Sequence, residues 1–305
     1  MKIKNIVAIQ SDPINTLDVN TDTTLLLANE AQRVGYKIFF YQSKDMNIKN
    51  GKIIAKGEYY KIEPIKKISR KKDLDLSSVK FVLIRQNPPF NIDYITSLYP
   101  LISLPDKVKI INSPIGIMKT HEKLFSINYK KFMPETIFTQ NYSEIIKFKK
   151  KHKKIVIKAT HGYGGKHIKF IKDTIKKNEI ENFLKRYKHV MVQKYLDGVK
   201  YGDKRVFIIN GKICGAIKRV PKKNSILSNI SQGGRAYLTK LNTREIKISK
   251  TIAKDLKKNN IYFAGIDIID NHLSGDINVT SPTGLKTFMD LSGLNLSKLF
   301  WSKLK

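Results

Sequence analysis

Apolar positions follow two different periods along the chain. NIVAIQ (5–10) is an apolar run of strand length, and the segment 22–34 follows with Leu27, Ala28, Ala31 and Val34 on one helical face, Asp22 as cap and Gly35 as stop. KIFFY (37–41), KFVLIR (80–85) and KVKIIN (107–112) read as further strands, with a polar turn and a helix near 92–99 between the last two. Strands alternating with helices predict an open, mostly parallel α/β sheet domain over residues 1–120.

From 121 the units shorten: a helix near 121–130, the strand TIFT, a helix at 142–151, the strand KIVIK, a glycine-rich loop, the strand HIKFI, a helix at 173–187 and the strand VMVQKY. This predicts a separate α+β lobe over 121–196. In the remainder, 197–305, KRVFIIN and KICGAIKRV are joined by Asn210-Gly211, a strong hairpin signal. A polar glycine-containing loop (221–237) precedes a helix at 243–259, whose Asn242 and Glu245 form a capping box ahead of the Ile248, Ile252, Leu256 stripe. A last hairpin, YFAGIDIID with DINVTS, precedes a C-terminal helical tail. The fold class is α/β followed by α+β.

Charge changes this picture less than its size suggests. The 305 residues hold 58 Lys and Arg against 25 Asp and Glu, a net charge of +33. The basic runs at 66–73, 147–154 and 218–224 are spread through the chain, without the interleaved aromatics, RNP sequence, zinc finger or basic helix of a nucleic-acid binder. A solvated lysine-rich surface is expected, with no nucleic-acid partner. Cys214 is the only cysteine and sits in the apolar strand KICGAI, which predicts a packed thiol and a reducing compartment. The N-terminus enters a strand at once and no run has membrane-spanning length, so a cytoplasmic enzyme with no membrane partner is expected. No stripe specifies an interface between copies.

Three groups of residues carry candidate chemistry. In VIKATHGYGGKHIKF (156–170) a strand ending at Lys158 leads into Gly162, Gly164 and Gly165; the spacing is neither a Walker A loop nor a Rossmann fingerprint. Glycines there let backbone N–H groups converge on an anion, and an ordinary hairpin turn fits equally well. In IDIIDNHLSGDINVTSPTG (266–284), Asp276 and Asn278 are two apart on a strand, and a hairpin can set Asp267 opposite them. Three oxygen donors suit Mg²⁺. Basic residues stand at element ends: Lys123, Lys158, Lys204, Arg205, Arg219 and Arg235. The six histidines lack metal spacing and no GxSxG elbow is present, which leaves phosphate chemistry as the best match.

In order and spacing, SDPI with NTDTT and EAQRVGY, IRQNPPF, NSP with HEKLF, PET, K-x-x-x-G-x-G-G, QKYL, GDKRV, RVP, N-x-x-x-GGR, GIDII and INVTSPTG together resemble the prokaryotic glutathione synthetase family of the ATP-grasp superfamily, over about residues 5–290. The resemblance implies an N-terminal domain (1–120) followed by a two-lobed ATP-grasp domain, with a lid (121–196) and a C-terminal lobe (197–305) clasping ATP. It implies ATP-dependent ligation of γ-glutamylcysteine and glycine through an acyl phosphate, by a homo-oligomer. Lys123, Lys158, Gly162, Gly164, Gly165, Gln193, Lys194, Tyr195, Leu196 and Asp203 would bind ATP. Asp267, Asp276 and Asn278 would hold Mg²⁺, with Mn²⁺ as the other candidate. Arg205 and Arg219 would stabilise the transferring phosphoryl group and the tetrahedral intermediate. Arg85, Asn229, Gly233, Gly234, Arg235, Ser281, Pro282 and Thr283 would receive the peptide.

Four stretches depart from the family pattern. Gln86 and Asn87 stand where a basic and an acidic residue are expected, and Asp276 stands where Glu is common, with an apparent one-residue insertion in its hairpin. Ala-Thr-His-Gly replaces Pro-x-Asp-Gly before the glycines, which makes His161 distinctive, and the GGR loop continues as Ala-Tyr rather than Gly-Glu. These departures leave room for a ligase that joins a different carboxylate and amine.

Overall fold

The computed structural model describes residues 3–222 and 233–304, and these form three sheets. In the first, β1 (Lys4–Gln10) pairs in parallel with both β2 (Lys37–Lys49) and β6 (Val79–Ile84), and β6 pairs in parallel with β7 (Lys109–Ile111). The remaining strands, β3 (Lys52–Ile62), β4 (Ile65–Lys67) and β5 (Lys72–Asp75), add to it in antiparallel sense. The apolar run predicts a second strand ending at Tyr41, whereas the strand runs on to Lys49 and turns back at Asn50-Gly51, where φ is 49° and 72°. That dipeptide supplies the two left-handed residues a tight hairpin needs. Helices α1 (Thr23–Arg33), α2 (Ile92–Ile102) and α3 (Pro114–Lys119) accompany this sheet; α1 opens with the Asp22 side chain accepting from the Leu25 N–H.

The second sheet has the order β10-β9-β11-β8, made of β8 (Thr136–Thr139), β9 (Ile155–Ala159), β10 (Ile168–Ile171) and β11 (Val190–Lys194), all antiparallel. Helices α4 (Tyr142–His152) and α5 (Lys177–Tyr187) bury Ile145, Phe148, Ile180 and Phe183 against it, a core of its own. The helix expected near 121–130 is instead a 3₁₀ segment over Leu124–Phe132, interrupted at Tyr129.

The third sheet has the order β14-β13-β12-β15-β16, antiparallel throughout: β12 (Asp203–Ile209), β13 (Lys212–Val220), β14 (Arg235–Leu238), β15 (Phe263–Ile269) and β16 (His272–Asn278). β14 is a strand where a loop was expected. Helix α6 (Thr243–Lys258) begins with the capping box of Asn242 and Glu245 and buries Ile248, Ile252 and Leu256; α7 (Leu285–Ser292) and α8 (Leu296–Ser302) complete the chain. Among the described residues no helix is long and apolar enough to cross a membrane.

The first and third sheets share two continuous hydrophobic cores. Polar groups pin them as well. Buried Asn112, just past β7, donates from Nδ2 to the Phe263 and Val279 carbonyls at 2.7 Å each, and its Oδ1 accepts from the Tyr262 and Phe263 N–H groups at 2.9 and 2.8 Å. Trp301 on α8 donates its indole N–H to the Leu27 carbonyl at 2.8 Å. The first and third sheets therefore form one scaffold, and the second sheet stands beside it on a core of its own, joined to the scaffold by Met191 and Phe138.

Asn112→Ala would strand two carbonyls and two N–H groups in a dry interface. We expect it to lower the unfolding free energy by about 3 kcal/mol, read from the urea midpoint; a loss below about 0.5 kcal/mol would contradict the pinning role.

Candidate active site

Strand register assembles the charges. Asp203 and Arg205 are two apart on β12 and face one side of the sheet. Pairing puts Asp203 opposite Arg219 on β13 and Arg205 opposite Asp267 on β15. The four side chains meet. Arg219 donates to both oxygens of Asp203 at 2.7 Å each, and its Nη2 lies 3.1 Å from Asp267 Oδ1. Arg205 donates Nε to Asp267 Oδ1 and Nη2 to Oδ2, the latter at 2.9 Å. All four residues are less than a tenth exposed. Burial alone pushes the Asp267 carboxyl upward, but Arg205 and then Arg219 outweigh it and hold it well below the usual carboxylate range. Burial likewise lowers the Arg219 guanidinium, and Asp267 with Asp203 more than reverse this.

The second acidic residue reaches the site through a bulge. Ile266 pairs with Ile277 and Ile268 with Leu273, so Ser274, Gly275 and Asp276 on β16 oppose Asp267 alone. Gly275 takes φ 96°, which a side chain would resist, and a Cβ there would meet the Met191 side chain at 2.8 Å. The apparent insertion expected from the sequence is absorbed here. Asp276 then lies 3.3 Å from both Lys123 Nζ and Lys158 Nζ. Burial raises its carboxyl, and Lys158 and Lys123 bring it below the ordinary value, while the like charge of Asp267 opposes them.

Lys123 owes its place to Glu122, which the sequence reading passed over. The Glu122 carbonyl accepts from the Ile277 N–H at 2.9 Å, and its carboxylate accepts from the Val279 and Thr280 N–H groups and the Thr280 hydroxyl, the last at 2.7 Å. Residues 121–123 are thereby held alongside β16. Lys158 reaches across from β9 in the second sheet and donates to the Ser274 carbonyl at 2.8 Å.

These groups line a cavity of about 850 Å³ between the second and third sheets, large enough for a nucleotide with a second ligand. One wall is the loop after β9, with Gly162, Gly164 and Gly165; Gly164 and Gly165 have φ of 60° and 77°. The Lys123 ammonium donates to the Gly162 carbonyl. Gln193, Lys194, Tyr195 and Leu196, where the chain leaves β11, form another wall with Val156, Ile168, Ile217 and Ile269. The Tyr195 ring packs on Phe170 with centroids 4.3 Å apart. The apolar side chains here, edged by Gln193 and Lys194, suit a purine ring.

Ser281 and Thr283 line the cavity at its far end, beside Asn87 and beside Asp18, Thr21 and Asp22; the last three come from the first sheet's loops and carried no site expectation in the sequence. The structure does not bring Arg85 or Pro282 to that wall. Arg85 is buried behind it, donating to the Thr24 hydroxyl at 3.1 Å and the Pro282 carbonyl at 2.9 Å, with Nη1 unpartnered. Burial lowers its pKa to about 10, against the opposing pull of Asp22. Gly233, Gly234 and Arg235 also stand off the cavity, at the start of β14 on the sheet edge, and Asn229 lies outside the described residues. Gln86 is buried in the first sheet, accepting from Gln10 at 2.9 Å and donating to Ser97 at 2.7 Å, so its departure from the family pattern falls outside the cavity lining.

Among the described residues no three His, Cys, Asp or Glu side chains converge on one point, but Asp267, Asp276 and the Asn278 amide line the cavity together. Asn278 Nδ2 donates to the Gly265 carbonyl at 3.1 Å and lies 3.3 Å from Asp267 Oδ2. Two mutually repelling carboxylates and an amide oxygen form a hard-oxygen set, and its chemistry fits Mg²⁺.

Comparison with known proteins bears on both halves of the chain. Residues 6–117 match the family model of the prokaryotic glutathione synthetase N-terminal domain, and residues 122–293 that of its ATP-grasp domain. The glutathione synthetase of Mesorhizobium japonicum is 34% identical over 312 residues, spanning 100% of this chain and 99% of its own. That of Buchnera aphidicola subsp. Baizongia pistaciae is 33% identical, over 96% and 94%. Among solved structures, the D-cycloserine synthetase DcsG superposes with a TM-score of 0.69 at 12% identity, covering 98% of this chain and 100% of its own. The ATP-grasp ligase PsnB, complexed with minimal precursor, Mg and ADP, gives 0.60 at 13%, covering 100% and 98%. The second of these likenesses shows the ATP-grasp fold.

Both carboxylates have folded pKa values below their unfolded ones, so the folded chain binds fewer protons in acid. Their contribution is complete above about pH 4 and is lost as pH falls through the lowered values. Asp267→Asn leaves two buried guanidinium groups short of a partner, and we expect it to cost about 3 kcal/mol at neutral pH while flattening the acid limb of the urea midpoint against pH. An acid limb unchanged in this variant would contradict the pairing.

Proposed function

Because the chain belongs to the prokaryotic glutathione synthetase family, we propose that it joins γ-glutamylcysteine to glycine at the expense of ATP. The supporting observation is the meeting of four cations with Asp267, Asp276 and Asn278 around one cavity beside an apolar slot. Phosphoryl transfer calls for fixed cations, backbone amides and a divalent ion more than for a covalent nucleophile.

In this reading residues 1–120 form the N-terminal domain, 121–196 the lid and 197–305 the C-terminal lobe. The adenine lies against Gln193 to Leu196, with Asp203 close by. Lys123, Lys158 and the amides of Gly162, Gly164 and Gly165 take the triphosphate. Asp267, Asp276 and Asn278 hold Mg²⁺ as the nucleotide's counter-ion. When bound, it neutralises phosphate charge and polarises the γ-phosphoryl group. The cysteinyl carboxylate of the dipeptide attacks the γ-phosphorus; the bond to the ADP oxygen breaks and an acyl phosphate forms. The glycine amine then attacks the acyl carbon, the tetrahedral intermediate expels phosphate, and the amine gives up its proton. Arg205 and Arg219 already stand beside Asp267 with their cations fixed, so negative charge developing above them needs little reorganisation. Ser281 and Thr283 meet the dipeptide directly, while Arg85 shapes that end from behind, through the Pro282 carbonyl.

ADP release measured with ATP and Mg²⁺ should require both γ-glutamylcysteine and glycine, and Asp267→Asn should reduce it at least 100-fold. Release indifferent to either substrate would refute the reaction, and full activity in the variant would refute the role of Asp267.

A further inference from the structure

Two histidines meet at the mouth of the glycine loop. His161 begins that loop, and His121 precedes Glu122 and Lys123. The His121 ring packs edge-on against Phe90, with centroids 5.3 Å apart. Its Nδ1 faces the backbone N–H groups of Lys123 and Leu124, at 3.4 Å each. A ring nitrogen that accepts carries no proton, so the single proton of neutral His121 belongs on Nε2. Nε2 in turn lies 3.5 Å from Nδ1 of His161, a long contact, with the rings inclined at 74°. The pairing therefore has one sense: His121 donates and His161 accepts.

Several features keep that sense fixed. Burial first, then the neighbouring His161 and Lys123, lower the His121 pKa to about 4, so it keeps one ring proton at neutral pH. The glycine loop is closed on itself by Gly162 N–H to the Ala159 carbonyl at 3.0 Å and Ala159 N–H to the His167 carbonyl at 3.1 Å, so a pull on His161 is felt by the whole turn. The base of the loop is held by Thr160 on the His189 carbonyl at 3.0 Å and by Tyr187 against His167 at 2.7 Å, and nearer its start the Lys123 ammonium donates to the Gly162 carbonyl. That cation is also one of the two lysines assigned to phosphate. An arriving triphosphate competes for Lys123 and leaves the His121 contact intact.

We propose that His121 and His161 form a latch that holds the glycine loop over the phosphate end of the cavity, with His121 as a positioning residue that governs ATP affinity. The proposal rests on the assignment of that cavity to nucleotide. Neither ring touches the reacting atoms, so the latch acts on KM for ATP and leaves kcat within about twofold.

The test uses the full-length chain with three single substitutions. His121→Phe removes the donor and His161→Phe the acceptor, each keeping a flat ring, whereas His161→Asp supplies a new acceptor. Both Phe variants should raise the ATP KM three- to tenfold, the scale of one hydrogen bond. They should also speed chymotryptic and tryptic cutting at Tyr163 and Lys166 in the nucleotide-free chain, and His161→Asp should restore both quantities. Unchanged cutting in both Phe variants, or His161→Asp behaving like His161→Phe, would overturn the latch. Faster cutting with an unaltered ATP KM would uphold the latch and overturn its link to nucleotide, a result separable from failure of the ligase reading, in which no ADP forms in the parent chain.

Discussion

The Asp267 carboxylate lies between two buried guanidinium groups, and the arrangement of the cavity follows from how those three residues are held. Arg205 is its cross-strand partner, Arg219 reaches it from the next strand, and Asp203 fixes Arg219 from the other side. A shift of one residue in any of these strands would turn the group to the opposite face. Buried ion pairs of this kind lose several kcal/mol per ion to desolvation and recover about as much from attraction, so their net contribution to stability is small. Their effect is electrostatic. Within this group four cations face three carboxylates, and they are fixed in place before any anion arrives.

Packing gives the two walls of the cavity different freedom. The third sheet is joined to the first by common cores, by Asn112 and by the Trp301 indole, so the carboxylates and arginines belong to the larger scaffold. The second sheet carries Lys158, the glycine loop and the apolar slot on a core of its own. Lys158 crosses from one wall to the other, and the link it makes to Asp276 is one that phosphate can replace. A sheet packed largely on its own core and tethered electrostatically across the cavity would serve as the lid proposed above, opening for nucleotide and closing before chemistry.

Much of this was legible in the sequence because it is local. Strand periods, the Asn242–Glu245 capping box, Asn210-Gly211 and the i, i+2 spacing of Asp276 and Asn278 each act within a few residues. Asn50-Gly51 was an equally local hairpin signal, and overlooking it hid β3 to β5. Other features exist only after folding. Asp18, Thr21 and Asn87 reach the cavity from loops far away in sequence, and Glu122 looks like one more surface acid until its carboxylate is seen capping Val279 and Thr280. Gln86 and Asn87 stand out together as departures from the family pattern, yet only Asn87 faces the cavity; one residue along an extended segment reverses the face.

The central claim is that phosphate passes from the nucleotide to the peptide carboxylate above the Arg205–Asp267–Arg219 group. Supplying γ-glutamylcysteine labelled with ¹⁸O in its cysteinyl carboxylate, with ATP and glycine, and weighing the released phosphate by mass spectrometry tests it directly. An acyl phosphate requires one labelled oxygen to leave with each phosphate, and phosphate released without label would contradict the account.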